Sequence, residues 1–516
     1  MNNRIVSRRH FLRTVGLATL SVTAAGLYGR AQNPMHRPNI LLILADDMGY
    51  SDLGCYGGEI NTPHLDSLAE QGLQFTQFYN NAKCAPTRAS VLTGLYHRRP
   101  PGPLLRENMV TLGEVLKQAG YQTALTGKWH LGSEPPRRPI DRGFDEYYGL
   151  MDGCCNYFDP AQPDPPFKGG RVRVFGHNDH RITEFPNDFY TTDAFTDHAI
   201  HTLKQFAGRT EPFFIHLCYT APHYPLHAWP EDIAKYRGQY KMGWYELRRL
   251  RHQRQLEMGL IDPEWDLPKD DFRARNWDTA DQDYEDLRMA VYAAMVDRMD
   301  QNIGRLLQAL KESGEEENTL VLFLSDNGGC AEEPEGPDYP HPPGPKEYYT
   351  SVGPSWGWAQ NTPFRRYKQW DNEGGIATPL IVRWPRVIQA NTRTDQVGHI
   401  IDFMPTFLEL ARARYPKSFQ GKAILPLEGK SLVPIVHGKK REGHEVLFWE
   451  FGGNRAVRVQ QGKWKLVWDR TIEEWELYDI DTDRTEMHNL ANNHPEQVRK
   501  MVSLYSQWAD KVGVKL

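Results

Sequence analysis

The stretch Asn39–Ala45 (NILLILA), followed at once by Asp46–Gly49 (DDMG), decides the fold that we predict for this chain. A continuous apolar run of this length is typical of a strand buried on both faces, as happens when helices cover both sides of a parallel sheet. The run Leu320–Ser325 (LVLFLS) repeats the arrangement and ends in Asp326–Gly329 (DNGG). The two stretches predict two buried strands of one sheet, each with polar side chains at its carboxyl end.

The segments around these strands alternate between helical and extended patterns. Apolar spacing predicts helices over 62–72, 111–119, 193–206, 287–313 and 399–410, and strands over 121–126, 212–219 and 380–384. After about residue 429 the pattern changes to short strands over 445–450, 455–459, 463–467 and 475–478, with a closing helix over 495–512. We predict an α/β fold with a large doubly wound, mainly parallel sheet domain over 32–430 and a small C-terminal antiparallel α+β domain over 431–516.

Residues 1–31 are predicted to be an export signal rather than part of the fold. Arg8 and Arg9 precede an apolar stretch, Val15–Leu27, that is too short and too rich in Gly, Ala and Thr for a membrane span. The pattern resembles a bacterial twin-arginine signal, which implies the twin-arginine translocase as a partner and a periplasmic or secreted destination. Cleavage near Ala31 fits the pattern, but no small-x-small site fixes its position.

Composition excludes other classes of partner. The formal net charge is −5 and the pI is about 6.5, so nothing indicates a nucleic-acid ligand or a polybasic membrane contact. Hydrophobic residues make up 40% and charged residues 25% of the chain, which are ordinary globular values. The six cysteines have irregular spacing and do not indicate a disulfide framework, although the state of the adjacent Cys154 and Cys155 stays open.

The side chains after the two buried strands are candidate metal ligands. Asp46 and Asp47 follow the first strand, and Asp326 and Asn327 follow the second. Each pair alone is also what a simple turn after a strand would contain. Because ligands of open α/β folds gather at the carboxyl ends of parallel strands, the two pairs together favour a shared site. Oxygen ligands of this kind suit a hard cation such as Ca²⁺ or Mg²⁺.

The segment Lys83–Gly94 (KCAPTRASVLTG) predicts a loop that enters a helix, with Cys84 at or just before the helix N-terminus. The free backbone N–H groups and the helix dipole favour negative charge there, and Arg88 lies one turn further on. The pattern therefore indicates an anion site built around a cysteine. A buried or disulfide-bonded cysteine near a helix cap is the plainer interpretation. A cysteine-dependent phosphatase would need more residues between the cysteine and the arginine.

Three further residues are candidates for acid, base or anion-binding roles. Lys128 and His130 follow a predicted strand and share a face if the extended conformation continues. From the residues alone, a surface lysine beside a partly buried histidine is the slightly favoured interpretation. His223 follows another predicted strand and lies close to prolines on both sides. It is therefore a better catalytic candidate than His216, which lies inside that strand.

Other segments predict surface features around such a site. The irregular stretches 154–189 and 330–360 are predicted to lie beside the active face and to rim its pocket. The run Arg248–Arg254 (RRLRHQR) is most simply the solvated face of a helix, and we assign it no function. Four tryptophans could stack on a sugar or an aryl ring, namely Trp129, Trp356, Trp358 and Trp370.

The pattern Cys84-x-Pro86-x-Arg88, followed by Ala89–Gly94 (ASVLTG), closely resembles the signature of the type I sulfatases. The resemblance extends from about Pro38 to the C-terminus and points to an arylsulfatase-like branch of the alkaline-phosphatase-like superfamily. It implies hydrolysis of aryl or carbohydrate sulfate esters. It also implies that Cys84 is oxidised to formylglycine by a formylglycine-generating or an anaerobic sulfatase-maturing enzyme.

The resemblance also implies roles for individual residues. The family's metal ligands correspond to Asp46, Asp47, Asp326 and Asn327, and formylglycine at Cys84 also contacts the ion, which is usually Ca²⁺. The remaining active-site residues correspond to Arg88, Lys128, His130, His223 and Lys368. Lys368 follows Arg365-Arg366-Tyr367, where many relatives have glycines.

The chemistry implied by the resemblance begins with attack of the aldehyde hydrate on sulfur. Lys128, Lys368 and the metal balance the sulfate charge, and His223 protonates the leaving oxygen. Deprotonation of the second hydroxyl, by His130, then expels sulfate. Two alternatives stay open, a phosphate or phosphonate ester hydrolase of the same superfamily and an inactive protein that binds sulfated glycans. The sequence does not decide between aryl and sugar leaving groups.

Overall fold

The computed structural model describes residues 37–97, 103–459 and 463–514. The predicted signal over 1–31 lies outside the described residues. From residue 38 onward, the described residues form one compact unit. Among the described residues, no helix has the length and apolar character needed to cross a membrane.

The main sheet has eleven strands, and ten of them follow the order β10-β2-β9-β8-β1-β7-β3-β4-β5-β6, with β11 paired to β2. The strands are β1 (Asn39–Ala45), β2 (Leu73–Tyr79), β3 (Gln122–Gly127), β4 (Glu146–Leu150), β5 (Phe175–His177), β6 (His180–Ile182), β7 (Phe213–Cys218), β8 (Thr319–Ser325), β9 (Ala377–Arg383), β10 (Thr392–Thr394) and β11 (Gly398–His399). The central strands β3, β7, β1 and β8 are parallel, whereas β9 is antiparallel to its two neighbours. The predicted mainly parallel sheet is confirmed.

The apolar stretch Asn39–Ala45 occupies the centre of this sheet as β1. Every residue of β1 is buried, and the strand pairs in parallel with β7 and β8. Alternate residues serve two different cores, because Leu41 and Ile43 pack on one face of the sheet and Leu42 and Leu44 on the other. The register pairs Ala45 with Ser325, so the polar residues that follow both strands meet at one edge.

Helices cover both faces of the sheet. In chain order they are α1 (Pro63–Glu70), α2 (Cys84–Thr93), α3 (Leu112–Gln118), α4 (Thr191–Phe206), α5 (Pro230–Ala234), α6 (Gly243–Glu257), α7 (Gln282–Glu312), α8 (Gly353–Gln360), α9 (Glu373–Ile376), α10 (Phe403–Leu410), α11 (Val433–Val436) and α12 (Pro495–Val512). The long helix α7 packs in one core and α10 in the other. All helices predicted from apolar spacing are present, with ends that differ by a few residues.

A small antiparallel sheet follows near the C-terminus. A hairpin of β12 (Ser418–Phe419) and β13 (Lys422–Ala423) precedes four strands in simple order, β14 (Val446–Phe451), β15 (Asn454–Val459), β16 (Trp464–Asp469) and β17 (Glu474–Asp479). Helix α12 packs against this sheet, as predicted. The boundary at residue 430 stays a prediction.

Buried polar contacts join the small sheet to the larger one. Glu373, just before β9, accepts hydrogen bonds from Lys465 at 2.9 Å and from Arg484 at 2.8 Å. The indole N–H of Trp449 donates to the carbonyl oxygen of Asn80 at 2.9 Å. Lys465 and Arg484 are almost fully buried, so their contacts with Glu373 help to compensate both charges.

The prediction that the arginine run of α6 is a solvated face is wrong for two of its members. Arg248 and Arg251 are buried. Arg251 donates to Asp52 at 2.7 Å and to Glu59 at 2.8 Å, while Arg248 donates to the carbonyl oxygen of Trp358 at 2.8 Å and stacks on its ring. Helical spacing turns these two side chains inward, where acceptors compensate the charges.

The state of the cysteines agrees with the prediction that they do not form a disulfide framework. All six lie in the described residues and carry free thiols. Cys154 and Cys155 are both buried, and the Cys154 sulfur lies 3.4 Å from the Tyr349 hydroxyl.

Candidate active site

Four polar residues meet where β1 and β8 end. Asp46 and Asp47 follow β1, Asp326 and Asn327 follow β8, and all four are buried. Asp47 has a φ of 65°, a left-handed conformation that turns the chain sharply after the strand. Its amide donates to Asp326 Oδ1 at 3.3 Å, and its own Oδ1 accepts from Asn327 at 2.7 Å. The structure therefore brings together the four residues that the sequence singled out as candidate metal ligands.

Helix α2 carries the cysteine to this cluster. The helix begins at Cys84, with extended backbone at Lys83, and ends before Gly94, which has a φ of 69°. One ligand atom each of Cys84, Asp46 and Asp326 lies within 4.8 Å of the others. Burial raises the pKa of the Cys84 thiol, although Lys128 and Lys368 oppose the effect. The predicted placement of a cysteine at a helix N-terminus beside the carboxylates is thus what the structure shows.

Three fixed cations surround the carboxylates. Arg88 donates through Nε and Nη2 to Asp326 at 3.0 and 2.8 Å, and burial keeps these contacts away from water. Lys128 Nζ lies 2.5 Å from Asp46 Oδ2, and Lys368 Nζ lies 2.7 Å from Asp47 Oδ2. Each carboxylate of the cluster has at least one cationic partner, which is how buried charges of both signs are kept in a protein interior.

His130 reaches the site in a different way from the one predicted. Strand β3 ends at Gly127, and His130 has a φ of 61°, so the extended conformation does not continue and the shared face with Lys128 is wrong. Gly127 itself has a φ of 104° and lies so close to Cys218 that a Cβ atom would collide with its carbonyl oxygen. Burial, with the charges of Lys128 and Arg88, lowers the pKa of His130 well below its usual range.

His223 lies against the same cluster. Its Nε2 is 3.4 Å from Asp47 Oδ2, and its Nδ1 is 2.6 Å from the carbonyl oxygen of Tyr224. Because a carbonyl oxygen only accepts, Nδ1 carries a proton and Nε2 faces the site. Burial, with the charges of Lys368 and Lys128, lowers the pKa of His223. His216, in contrast, is buried within β7 with its Nδ1 3.1 Å from the Leu42 carbonyl, as expected of a core residue.

The donor set of the cluster fits a hard divalent cation. Asp46 Oδ1 and Asn327 Oδ1 are buried and have no hydrogen-bond partner among the described residues. Burial and the neighbouring Asp326 raise the pKa of Asp46, which a cation at this point would reverse. Buried carboxylate and amide oxygens without a hydrogen-bond partner are the kind of ligand atoms that Ca²⁺ or Mg²⁺ prefers.

Sequence reasoning missed Glu332. Its carboxylate lies 3.1 Å from Lys368 Nζ and 2.8 Å from Lys83 Nζ, so it links the entrance of the site to the buried lysine. Burial raises the pKa of Glu332, but Lys368 and Lys83 outweigh this effect, and the pKa is lowered overall. Glu332 follows β8 by seven residues within an irregular segment, where no pattern in the sequence distinguishes it from the other acidic residues.

Three of the four tryptophans do not contribute to the predicted stacking surface. Trp129, Trp356 and Trp358 are almost fully buried and belong to the two cores. Trp370 is 4% exposed, but it borders a cavity of about 240 Å³ beside Lys368. That cavity is also lined by Phe272, Arg273 and Arg470, a combination of aromatic and cationic groups.

Several known proteins are similar to this chain in sequence and in fold. The Sulfatase family profile matches residues 38–413, and a profile described as N-sulphoglucosamine sulphohydrolase, C-terminal, matches residues 366–507. An uncharacterized sulfatase of Schizosaccharomyces pombe is 35% identical, with 93% of this chain and 94% of the relative covered. The arylsulfatase of Klebsiella aerogenes is 34% identical, with 83% and 98% covered. The crystal structure of Ps i-CgsB in complex with k-i-k-neocarrahexaose aligns with a TM-score of 0.68 at 26% identity, with 92% and 93% covered.

The fold and the site define an α/β enzyme with a charged centre at the carboxyl edge of its sheet. This chain belongs to the sulfatase family, and it is a sulfuric ester hydrolase. The predicted family, fold class and type of reaction are confirmed. Sulfatases generally use a metal ion and a formylglycine residue, and the cluster at Asp46 and the cysteine at position 84 fit both.

Proposed function

We propose that this protein hydrolyses aryl or carbohydrate sulfate esters with a formylglycine made from Cys84 and a divalent cation, Ca²⁺ in the first place and Mg²⁺ as the alternative. One observation carries the proposal. Cys84 lies at a helix N-terminus, and its sulfur lies within 4.8 Å of a carboxylate oxygen of both Asp46 and Asp326, inside a ring of three buried cations. In the active protein the hydrated aldehyde would supply the nucleophile and the cation would increase its acidity.

Asp46, Asp47, Asp326 and Asn327 would hold the cation through their oxygen atoms. Arg88 contributes by fixing Asp326, since its guanidinium is already engaged with that carboxylate and with the carbonyl oxygen of Lys128. Lys128 and Lys368 are the cations that would face the sulfate oxygens. Each lysine is held in this position by an ion pair with an aspartate.

Proton transfer would fall to the two buried histidines. His223 presents Nε2 to the site while Nδ1 is held by a backbone carbonyl, a suitable arrangement for delivering a proton to the leaving oxygen. A bound sulfate adds negative charge beside Lys128 and Lys368, which favours the protonated imidazole at that stage. Burial, with the charges of Lys128 and Arg88, lowers the pKa of His130, so this imidazole is suited to accept the proton that releases sulfate.

Two kinds of leaving group are supported. The relative from Klebsiella aerogenes is named an arylsulfatase, and the aligned structure of Ps i-CgsB contains a neocarrahexaose. The cavity beside Lys368 combines aromatic and cationic side chains, which suits an aryl ring or a charged sugar. We further propose export by the twin-arginine route, with modification of Cys84 in the cytoplasm before the folded protein crosses the membrane.

A desulfation screen tests the proposal. Native protein would be assayed on aryl sulfates, on regiochemically defined sulfated sugars and on matched aryl phosphates. We expect release of sulfate from at least one of the first two classes at a higher rate than phosphate release. Faster hydrolysis of the phosphate esters would favour the phosphate-ester alternative, and binding without turnover would favour the glycan-binding alternative.

A further inference from the structure

A second cluster of metal-binding side chains lies at the far edge of the main sheet. Glu146 begins β4, His177 ends β5, and His198 lies in the second turn of α4. One ligand atom of each lies within 4.8 Å of the other two. None of these residues contacts the catalytic cluster, and no role in sulfate hydrolysis explains their convergence.

The two imidazoles present the same nitrogen to the same oxygen. His177 Nε2 lies 2.6 Å from Glu146 Oε1, and His198 Nε2 lies 3.2 Å from that atom. The side chain of His177 is 48% exposed, so an ion has access from solvent. Two histidines and one glutamate, with a fourth position open to water, form one of the established ligand sets for Zn²⁺.

Neighbouring groups hold these ligands in the orientation that metal binding requires. His198 Nδ1 lies 2.9 Å from the Thr126 hydroxyl oxygen. When Nδ1 carries the proton and donates to that oxygen, the lone pair of Nε2 is available to bind an ion. The Asn178 amide donates to Glu146 Oε2 at 3.1 Å, so Oε1 is the oxygen left for the ion. Asn178 is itself held, because its own Oδ1 accepts from the Tyr147 amide at 2.8 Å.

We propose that Glu146, His177 and His198 form a Zn²⁺ site that is separate from the catalytic centre. The ion would join β4, β5 and α4, and so would close the base of the irregular segment 151–174 that lies between the two strands. The three ligands are 31 and 21 residues apart in sequence, so only the folded chain brings them together. Because the ion would bind the folded chain and not the unfolded one, binding would stabilise that segment.

Zinc titration calorimetry on untagged protein tests the proposal, with Ca²⁺ first added in excess to occupy the catalytic cluster. The variants are His177→Ala and Glu146→Gln, and His180→Ala is the control because this exposed histidine lies in the same hairpin. Native protein and the control should bind one Zn²⁺ with equal affinity, and the other two variants roughly 100-fold or more weakly, as expected for a damaged ligand set. Thermal midpoints without zinc check that each variant is folded.

Two results would overturn the site. The first is the absence of zinc uptake by native protein, and the second is equal zinc affinity in native protein and in His177→Ala. Asp326→Ala separates this site from the proposed catalytic function, because that variant should keep its Zn²⁺ affinity whether or not it hydrolyses sulfate esters. As a second readout, Co²⁺ in place of Zn²⁺ should give the visible absorption of a four-coordinate ion with native protein and lose it with His177→Ala.

Discussion

Lys368 Nζ lies 2.7 Å from Asp47 Oδ2, and both side chains are shielded from solvent. Lys128 and Asp46 repeat this arrangement at 2.5 Å. Two adjacent residues on one strand end therefore each hold a lysine that comes from a distant part of the sequence. Such pairs fix the position of both lysines without the entropy cost of ordering a flexible cation when substrate binds.

The first prediction concerns the cation. Asp326→Ala should remove a ligand and the partner of Arg88, so Ca²⁺ should no longer raise the thermal midpoint, and turnover should nearly vanish. Differential scanning calorimetry with and without Ca²⁺, together with an aryl sulfate assay, measures both effects. Full activity in the variant after chelation would remove the metal from the mechanism.

The second prediction concerns the proton donor. His223→Ala should slow sugar or alkyl sulfates by roughly 10²- to 10⁴-fold, but should affect nitrophenyl sulfate much less, because a good leaving group does not need the proton. Rates across a series of phenols with different pKa values give the dependence directly. An equal loss on every substrate would assign His223 to binding.

The third prediction concerns Cys84. Protein recovered from the native host should carry an aldehyde at position 84, seen by mass spectrometry as the replacement of sulfur and two hydrogens by one oxygen. Cys84→Ala should still bind the cation, since the four oxygen ligands are intact, but should not turn over substrate. Fully active native protein with a free thiol at this position would refute the proposed nucleophile.

The fourth prediction concerns stability. Arg251→Ala should lower the free energy of unfolding by about 3–5 kcal/mol, because it leaves the buried Asp52 without its cationic partner. Urea denaturation measures the change. The matched control is Arg249→Ala on the same helix, where the side chain is 56% exposed and pairs with Glu246 at the surface. The control should change the free energy by less than about 0.5 kcal/mol.

The fifth prediction concerns pH. Burial raises the pKa of Asp402, but His444 and Arg441 outweigh this effect and lower it overall. An aspartate with a depressed folded pKa stabilises the protein above its unfolded value of about 3.9, and the contribution is lost as the pH falls towards the folded value. The difference in unfolding free energy between native protein and Asp402→Asn should therefore be largest above pH ~5 and should shrink below pH ~4.

Much of the fold followed from local patterns. Asn39–Ala45 and Leu320–Ser325 form neighbouring strands in the sheet. Their central position could be predicted, because a continuous apolar strand is stable only where both faces of the sheet are covered. The antiparallel insertion of β9 between β8 and β2 could not be predicted, since strand order depends on contacts between distant segments.

The site was predictable only in part. The residues at strand ends, Asp46 and Asp326, could be recognised because the sheet itself brings such ends together. Glu332 and the inward position of Arg251 could not, because each depends on a partner that lies far away in sequence, Lys368 for the first and Asp52 for the second. The left-handed conformation of His130 was not predictable either, because the sequence predicts an extended chain after β3 and no pattern marks where that conformation ends.

The contacts of Glu373 limit how far the chain can be shortened. Its two cationic partners, Lys465 and Arg484, come from the small C-terminal sheet and the loop that follows it. A fragment ending at residue 430 would lack both of these cationic partners of Glu373, which lies five residues from Lys368. The C-terminal segment therefore acts as an internal counter-charge for the catalytic half, and deletion of this segment should give an insoluble polypeptide rather than a smaller enzyme.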